Sequence, residues 1–275
     1  MALTRIKLGR REDLGADCAN CFGLCCVALA FSRSSDFPVD KPAGEPCLNL
    51  DDSDACRIHD RLRADGYAGC TTFDCFGAGQ KVSYHTFGGR SWRHDPRLRD
   101  SMFSAFSTVR RLHELLWYLD QAIDLAPSAE LVTHFGRVKG LSDGDAPALA
   151  SLDVDAEYDT ARPLLLSASR TIRQGHGSPT LSDRLHPGAD LSGARLEGAD
   201  LRGAELRGAL LIGADLSNAD LRWCELLGAD LRGADLSGAR LSSAVYLAQG
   251  QLDSARGDRR TELPDGFLRP RHWAL

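Results

Sequence analysis

Eight of the nine cysteines in this 275-residue chain fall between Cys18 and Cys75. They run Cys18-x2-Cys21-x3-Cys25-Cys26, then Cys47, Cys56, Cys70 and Cys75. Glycine and proline bracket the tight pairs, so the sulfurs can converge without a long hydrophobic core. A thiolate is a soft ligand and selects zinc or iron–sulfur over magnesium or calcium. A closed zinc site takes four such ligands, and iron–sulfur clusters also use four. Eight thiols therefore suffice for two centres. The adjacent side chains of Cys25 and Cys26 diverge, which makes both awkward on one ion. That favours two centres, or one ligand beside one spectator. All eight are the expected metal ligands, with zinc or an iron–sulfur cluster as the cofactor. Such a metal either folds a segment that lacks a core or serves redox or catalytic chemistry. Disulfides or a thiol sensor are the remaining reading.

The same segment resembles the YkgJ-type cysteine-cluster family, described as zinc- or iron-chelating. The resemblance rests on Cys18-Ala-Asn-Cys21, Cys25-Cys26, Asp36, Pro46-Cys47-Leu48-Asn49-Leu50, Cys56-Arg-Ile-His-Asp-Arg-Leu62, and Gly69-Cys70 with Cys75. His59 stands where that family usually has Tyr, and its Arg-Pro step is absent.

A catalytic metal site needs an open coordination position and nearby acid or base groups. Asp36, His59, Asp60, Asp74 and His85 are candidates, but spacing does not select among them, and catalytic residues stay unassigned. His85 and His94 lie just past the cysteines, as an extra ligand each or as surface or packed histidines. His113-Glu-Leu-Leu-Trp117 has Trp where a zinc-binding His-Glu-x-x-His motif needs its second His. Phe76-Gly-Ala-Gly-Gln-Lys-Val82 reads as a backbone nest for an anion or as a tight turn.

The elements that position these residues follow in order. From Pro96 to Asp124 the residues Met102, Phe106, Val109, Leu112, Leu116, Leu119 and Ile123 recur at helical spacing. Asp95 and Pro96 suit its start. A second helix is expected over Ser128–Lys139 with Ser128 as cap, then a loop over Gly140–Pro147. A third helix is expected over about Asp153–Arg173, with Pro163 inside it. Gln174–Gly188 is rich in Gly, Ser and Pro and reads as a linker.

From Ala189 to Ser243 the chain is eleven five-residue units without insertion. Each is centred on leucine: Leu191, Leu196, Leu201, Leu206, Leu211, Leu216, Leu221, Leu226, Leu231, Leu236 and Leu241. Ala precedes by two positions in ten units, with Cys224 in the other, and eight units end in Gly. A period of five suits neither helix nor strand, since five residues turn ~500° in a helix and would alternate faces in a strand. A square coil satisfies it, with Leu and Ala inward, Gly at corners, and coils stacked at ~4.8 Å. Trp223 stands where Gly usually turns, so it should project from a corner. The residue before Leu is acidic in eight units, and Arg195, Arg202, Arg207, Arg222, Arg232 and Arg240 offset them. Units such as Ala-Asp-Leu-Ser-Gly resemble the pentapeptide-repeat family, which implies a right-handed quadrilateral β-helix with four units per coil. After Ser243 the period decays into a stretch that suits a terminal cap, with His272 and Trp273 as cap packing.

The expected fold class is α+β multidomain. Its parts are a Cys-rich metal-binding domain over 1–95, a short helical bundle over 96–174, a linker over 175–188, the β-helix over 189–252 and a cap over 253–275. Net charge is −5, too mild to mark nucleic-acid binding. No apolar run reaches ~18 residues, so no membrane span is expected. The charged stretch Met1–Ala16 lacks an apolar signal core, which implies a cytoplasmic protein whose thiols stay reduced. The leading function is a metal-binding adaptor that offers the solenoid to a protein partner. The alternative is a metal-dependent or redox enzyme. A second alternative, a DNA mimic protecting gyrase as some pentapeptide-repeat proteins do, fits poorly. Fewer than three coils span roughly 13 Å at strand spacing, against ~34 Å for one duplex turn.

Overall fold

The computed structural model describes residues 14–177 and 183–273. Most of the N-terminal stretch, part of the linker and the last two cap residues lie outside the described residues. The chain divides into two compact units. One holds residues up to 123 with 128–164; the other holds 124–127 with the chain from 165 onward. The cysteine segment and the helices thus share a unit, and the last turns of the third long helix belong with the solenoid.

The cysteine segment has little regular structure. Its helices are α1 (Leu24–Ala28), α2 (Ala68–Thr72) and α3 (Ala78–Gln80), which runs into a π-helical turn, Lys81–Thr86. Isolated antiparallel bridges join Phe31 to Lys41 and Leu50 to Cys56. The helical part follows the expected periodicity. Asp95 accepts from Arg97 N at 3.2 Å, and a short 3-10 turn at Pro96–Leu98 leads into α4 (Arg99–Leu125). The whole expected stripe from Met102 to Ile123 is buried. Ser128 Oγ accepts from Leu131 N at 3.2 Å and starts α5 (Ala129–Ser142). The expected loop is shorter than Gly140–Pro147. Asp145 caps α6 (Ala146–Ser151), and Pro147 falls in its first turn, where a missing N–H is harmless. Asp153 accepts from Ala156 N at 3.2 Å near the start of α7 (Val154–Arg173), with Pro163 inside.

In the second unit, parallel bridges pair each rung with the residue 20 positions on, as in Asp190 with Leu210 and Asp200 with Asp220. Four five-residue units therefore make one coil. The rungs are so short that pairing is a ladder of isolated bridges rather than long strands. Leu191 N donates to Leu210 O at 2.8 Å, and Leu210 N returns a bond to Ala189 O at 2.9 Å. Ten of the eleven unit-centre leucines are buried. Leu196, in the first coil, is half-buried. Asn218 and Trp223 both adopt φ 57° at corners that Gly fills elsewhere. The stack imposes that left-handed conformation whatever residue stands there.

Parallel pairing continues beyond 252, joining Asp235 to Arg256 and Arg240 to Glu262. The longer spacing accommodates α8 (Gln249–Ser254). Gln251 Nε2 donates to the carbonyls of Leu226 and Ala229, both at 2.8 Å. The cap expectation for His272 and Trp273 holds. Trp273 is buried and donates to Ala255 O at 3.1 Å, and His272 Nε2 lies 2.8 Å from the same oxygen. A Cβ on Gly257 would stand 2.5 Å from the Trp273 ring, so the indole needs glycine there.

One outward position behaves unexpectedly. Glu225, on the outward side of its unit, is only 1% exposed. Ser169 Oγ donates to it at 2.6 Å, Arg207 lies 3.3 Å away, and Arg173 of the same α7 end pairs with Glu205 at 3.1 Å. Tyr246 donates to Leu165 O at 2.7 Å beside them. The end of α7 covers this side of the coil.

Candidate metal centre

The eight cysteines sort into two neighbouring sets of four. Cys18, Cys21, Cys25 and Cys75 line a cavity of about 20 Å³ together with Asp17, Gly79 and Phe106. That is room for roughly one water-sized body. Cys18 opens a 3-10 turn, Cys25 sits in α1, and Cys75 arrives just before α3. Phe22 holds the Cys21 loop in place: its N–H donates to Ser83 Oγ at 3.1 Å, and its carbonyl accepts from Trp92 Nε1 at 2.9 Å. A Cβ on Gly79 would lie 2.6 Å from Cys21 Sγ, so the close approach of α3 to this sulfur requires glycine.

Cys26, Cys47, Cys56 and Cys70 form the other set. Cys70 interacts electrostatically with the other three. Cys47 N donates to Cys26 O at 2.9 Å, and Cys56 pairs with Leu50 across the turn that separates it from Cys47. Beside Cys70, a Cβ on Gly69 would meet the Phe37 ring at 2.4 Å. That ring stacks on Phe31 at 4.2 Å. The sets adjoin, since Cys25 Sγ and Cys26 Sγ are 3.8 Å apart and Cys18 also faces Cys26 and Cys56.

Backbone N–H groups aim at four of the sulfurs, two in each set. Leu24 N lies 3.5 Å from Cys21 Sγ, with Gly23 beside it. Gly77 and Gly79 point at Cys75, Asn49 at Cys47 and Ile58 at Cys56. Such donors favour the thiolate over the thiol. The segment read as an anion nest or a tight turn makes a tight turn. Phe76 (φ 48°) and Gly77 (φ 76°) make the left-handed turn, and the N–H groups serve Cys75.

Burial acts in the opposite sense. It pushes Cys21 and Cys75 up to about 11 and Cys70 up to about 12, whereas Cys18 is exposed. Cys47 and Cys56 are raised by the same cause. Cys25 is raised, first by its hydrogen bond to Cys26, and Cys26 is lowered by receiving it. A divalent cation reverses this balance, because a coordinating thiol is deprotonated outright. Among the described residues, no three His, Cys, Asp or Glu side chains already stand in an ion-holding geometry.

The catalytic candidates do not gather with the sulfurs. His59, Asp60, His85 and His94 are exposed, and Asp36 is half-buried. Asp74 does face Cys75. It accepts from Phe76 N at 2.7 Å, and burial pushes it up to about 6. His113 is buried, with Nδ1 2.7 Å from Phe76 O. Cys224 is fully buried at an inward solenoid position, and burial pushes its thiol far up. Trp223 stacks on His176 at 3.9 Å. Sequence reasoning missed Gly79 and Ser83. A lone serine carries no periodic signal, and Gly79 read as turn chemistry.

The match to a known family agrees with the solenoid. The pentapeptide repeats family matches residues 189–226 and 214–245, in eight copies. A pentapeptide repeat protein of Nostoc PCC 7120 is 36% identical over 31% of this chain and 78% of its own, with TM-score 0.23. HetL, a pentapeptide repeat protein involved in heterocyst differentiation regulation in Nostoc sp. strain PCC 7120, is 31% identical. That match covers 30% of this chain and 46% of HetL, with TM-score 0.18. Among the described residues, no helix is long and apolar enough to cross a membrane. The uncharacterized protein YybG of Bacillus subtilis strain 168 is 51% identical over 265 residues, 95% of each chain. This chain, with its pentapeptide repeats, belongs to one family with YybG of Bacillus subtilis.

Proposed function

We propose that this protein is a metal-binding scaffold. Its cysteine segment holds zinc or iron–sulfur in two centres, and its solenoid offers a rigid face to a protein partner. One observation carries the reading. The eight sulfurs fall into two fours, each with two sulfurs already facing backbone N–H donors. Buried neutral thiols have little use for such donors, whereas thiolates do. The donor set, all sulfur, fits a soft cation. Cys18, Cys21, Cys25 and Cys75 would hold one centre, and Cys26, Cys47, Cys56 and Cys70 the other. When bound, the metal would add internal bonds to a segment with little regular structure.

Metal analysis of anaerobically prepared protein, with metal-to-protein and sulfide-to-protein ratios, tests this. Two zinc ions per chain in colourless protein support the scaffold. Brown protein with broad absorbance near about 400 nm and acid-labile sulfide identifies iron–sulfur. Reversible reduction without loss of fold would then move the reading toward redox chemistry. Folded, metal-free protein from an anaerobic preparation would sink it.

A further inference from the structure

The last turns of α7 meet the solenoid once per coil. Glu205, Glu225 and Val245 are stacked rungs of one side, in the first, second and third coils. Tyr246, next to the third rung, donates to Leu165 O at 2.7 Å. Four residues on, Ser169 Oγ donates to Glu225 of the second rung at 2.6 Å. Four residues further, Arg173 pairs with Glu205 of the first rung at 3.1 Å and donates to Gly203 O at 3.2 Å. Ser169, Glu225 and Tyr246 are fully buried. Positions 165, 169 and 173 share one helix face. A helix advances ~6 Å in four residues and the coils stack at ~4.8 Å, so a helix lying obliquely along the stack keeps this register.

Past the helix the chain stays on the solenoid. Gly175 turns at φ 80°, and His176 N donates to Arg173 O at 3.1 Å. The His176 ring lies on Trp223, with 3.9 Å between centroids and 8° between planes. Gly177 passes Gly203 so closely that a Cβ on Gly203 would stand 2.9 Å from the Gly177 Cα. Trp223 is an unfavourable residue for its corner. At φ 57° a side chain is strained, and Gly fills this place in most units. The indole offsets that strain with a contact that glycine lacks.

We propose that residues 165–177 are a splint that locks the three coils together, and that Trp223 is its latch. A solenoid coil is supported only by its neighbours; the splint adds a tie from coil to coil that runs outside the rungs. The side that carries Glu225 is thereby closed to any partner. None of this depends on metal binding.

Hydrogen–deuterium exchange of the full-length protein, read on peptides covering 174–177 and the repeats, tests it. W223G gives the corner the residue its backbone favours and removes the latch. Exchange at 174–177 should rise by about twofold to tenfold, the worth of a ring stack. H176A removes the same stack from the other side and should match it. N218G eases the same φ of 57° at the preceding corner and should leave 174–177 unchanged. S169A, which removes the tie to the second coil, should speed exchange in the repeats and lower the melting of their β signal. Unchanged exchange at 174–177 in H176A overturns the latch, as does an equal rise in N218G. If W223G fails to fold, H176A decides, because it leaves every corner as it is. An unchanged β melt in S169A overturns the splint; if S169A fails to fold, Y246F, which removes the third-coil tie, is read in the same way.

Discussion

At the scale of single residues, the sulfurs are held between two opposing influences. Burial favours the neutral thiol, while backbone donors favour the thiolate. This sets a pH signature for the metal-free protein. Cys21 and Cys75, raised from 9.0 to about 11 by burial, stabilise the fold fully below pH 9. That contribution is lost as pH rises toward 11, because the unfolded chain ionises first. Metal-free protein should therefore melt at falling temperature across that window. Metal-loaded protein should not, and should instead release its ion on acidification as protons compete for sulfur; thermal melts against pH, with and without chelator, check both. Gly79→Ala tests the close approach to Cys21. Its Cβ would meet Sγ at 2.6 Å. Overpacking of this kind destabilises by about 1–3 kcal/mol, and the variant should lose one metal equivalent while keeping its helical circular dichroism. Retention of both equivalents would show that the contact does not matter.

At the scale of elements, the solenoid depends on an aliphatic interior one side chain deep. Leu211 is fully buried in its middle coil. Leu211→Asp would bury a charge with no partner, and should abolish the cooperative melt and the β signal of the repeats; an unchanged melting curve would refute the placement. The α7 end tests a subtler interaction. Glu225 is buried, with Ser169 as donor and Arg207 at 3.3 Å. Removing one partner of a buried pair destabilises by about 3–5 kcal/mol. Arg207 is nearly a third exposed and Arg173 Nε remains 4.0 Å away, so Arg207→Ala should lose less, about 1–2 kcal/mol after discounting for solvent screening. Urea denaturation of the variant beside Glu225→Gln measures it. The helices were legible because their apolar residues recur at helical spacing and their caps are local, as Asp95 and Ser128 show. The cover over Glu225 was not, because an acidic residue before Leu looks the same whether water or α7 lies beyond it.

At the scale of the whole molecule, the two units draw stability from different sources. The solenoid is held by leucine burial and a backbone ladder, and the cysteine segment has few regular elements of its own. A chelator should therefore lower the melting of the cysteine-containing unit and leave the β signal of the repeats in place; loss of both together would refute that division. The outward acids of the solenoid also bear on partners. Asp200, Asp220 and Asp230 each pair with the Arg two residues on, at 2.7, 2.5 and 2.7 Å. Carboxylates neutralised in this way make a poor copy of a phosphate backbone, so the protein should leave gyrase supercoiling unchanged. The repeat was readable from sequence alone because each unit repeats the same local demands: a turn, a small residue and one leucine. The cysteine spacing likewise announced soft-ligand chemistry, since residue type sets ligand softness. Which sulfurs are neighbours, that Gly77 and Gly79 serve Cys75, and that Ser169 meets Glu225 were decided only by the tertiary structure. Most of those relations join residues far apart in the chain, and no local spacing encodes the group that folding brings beside them.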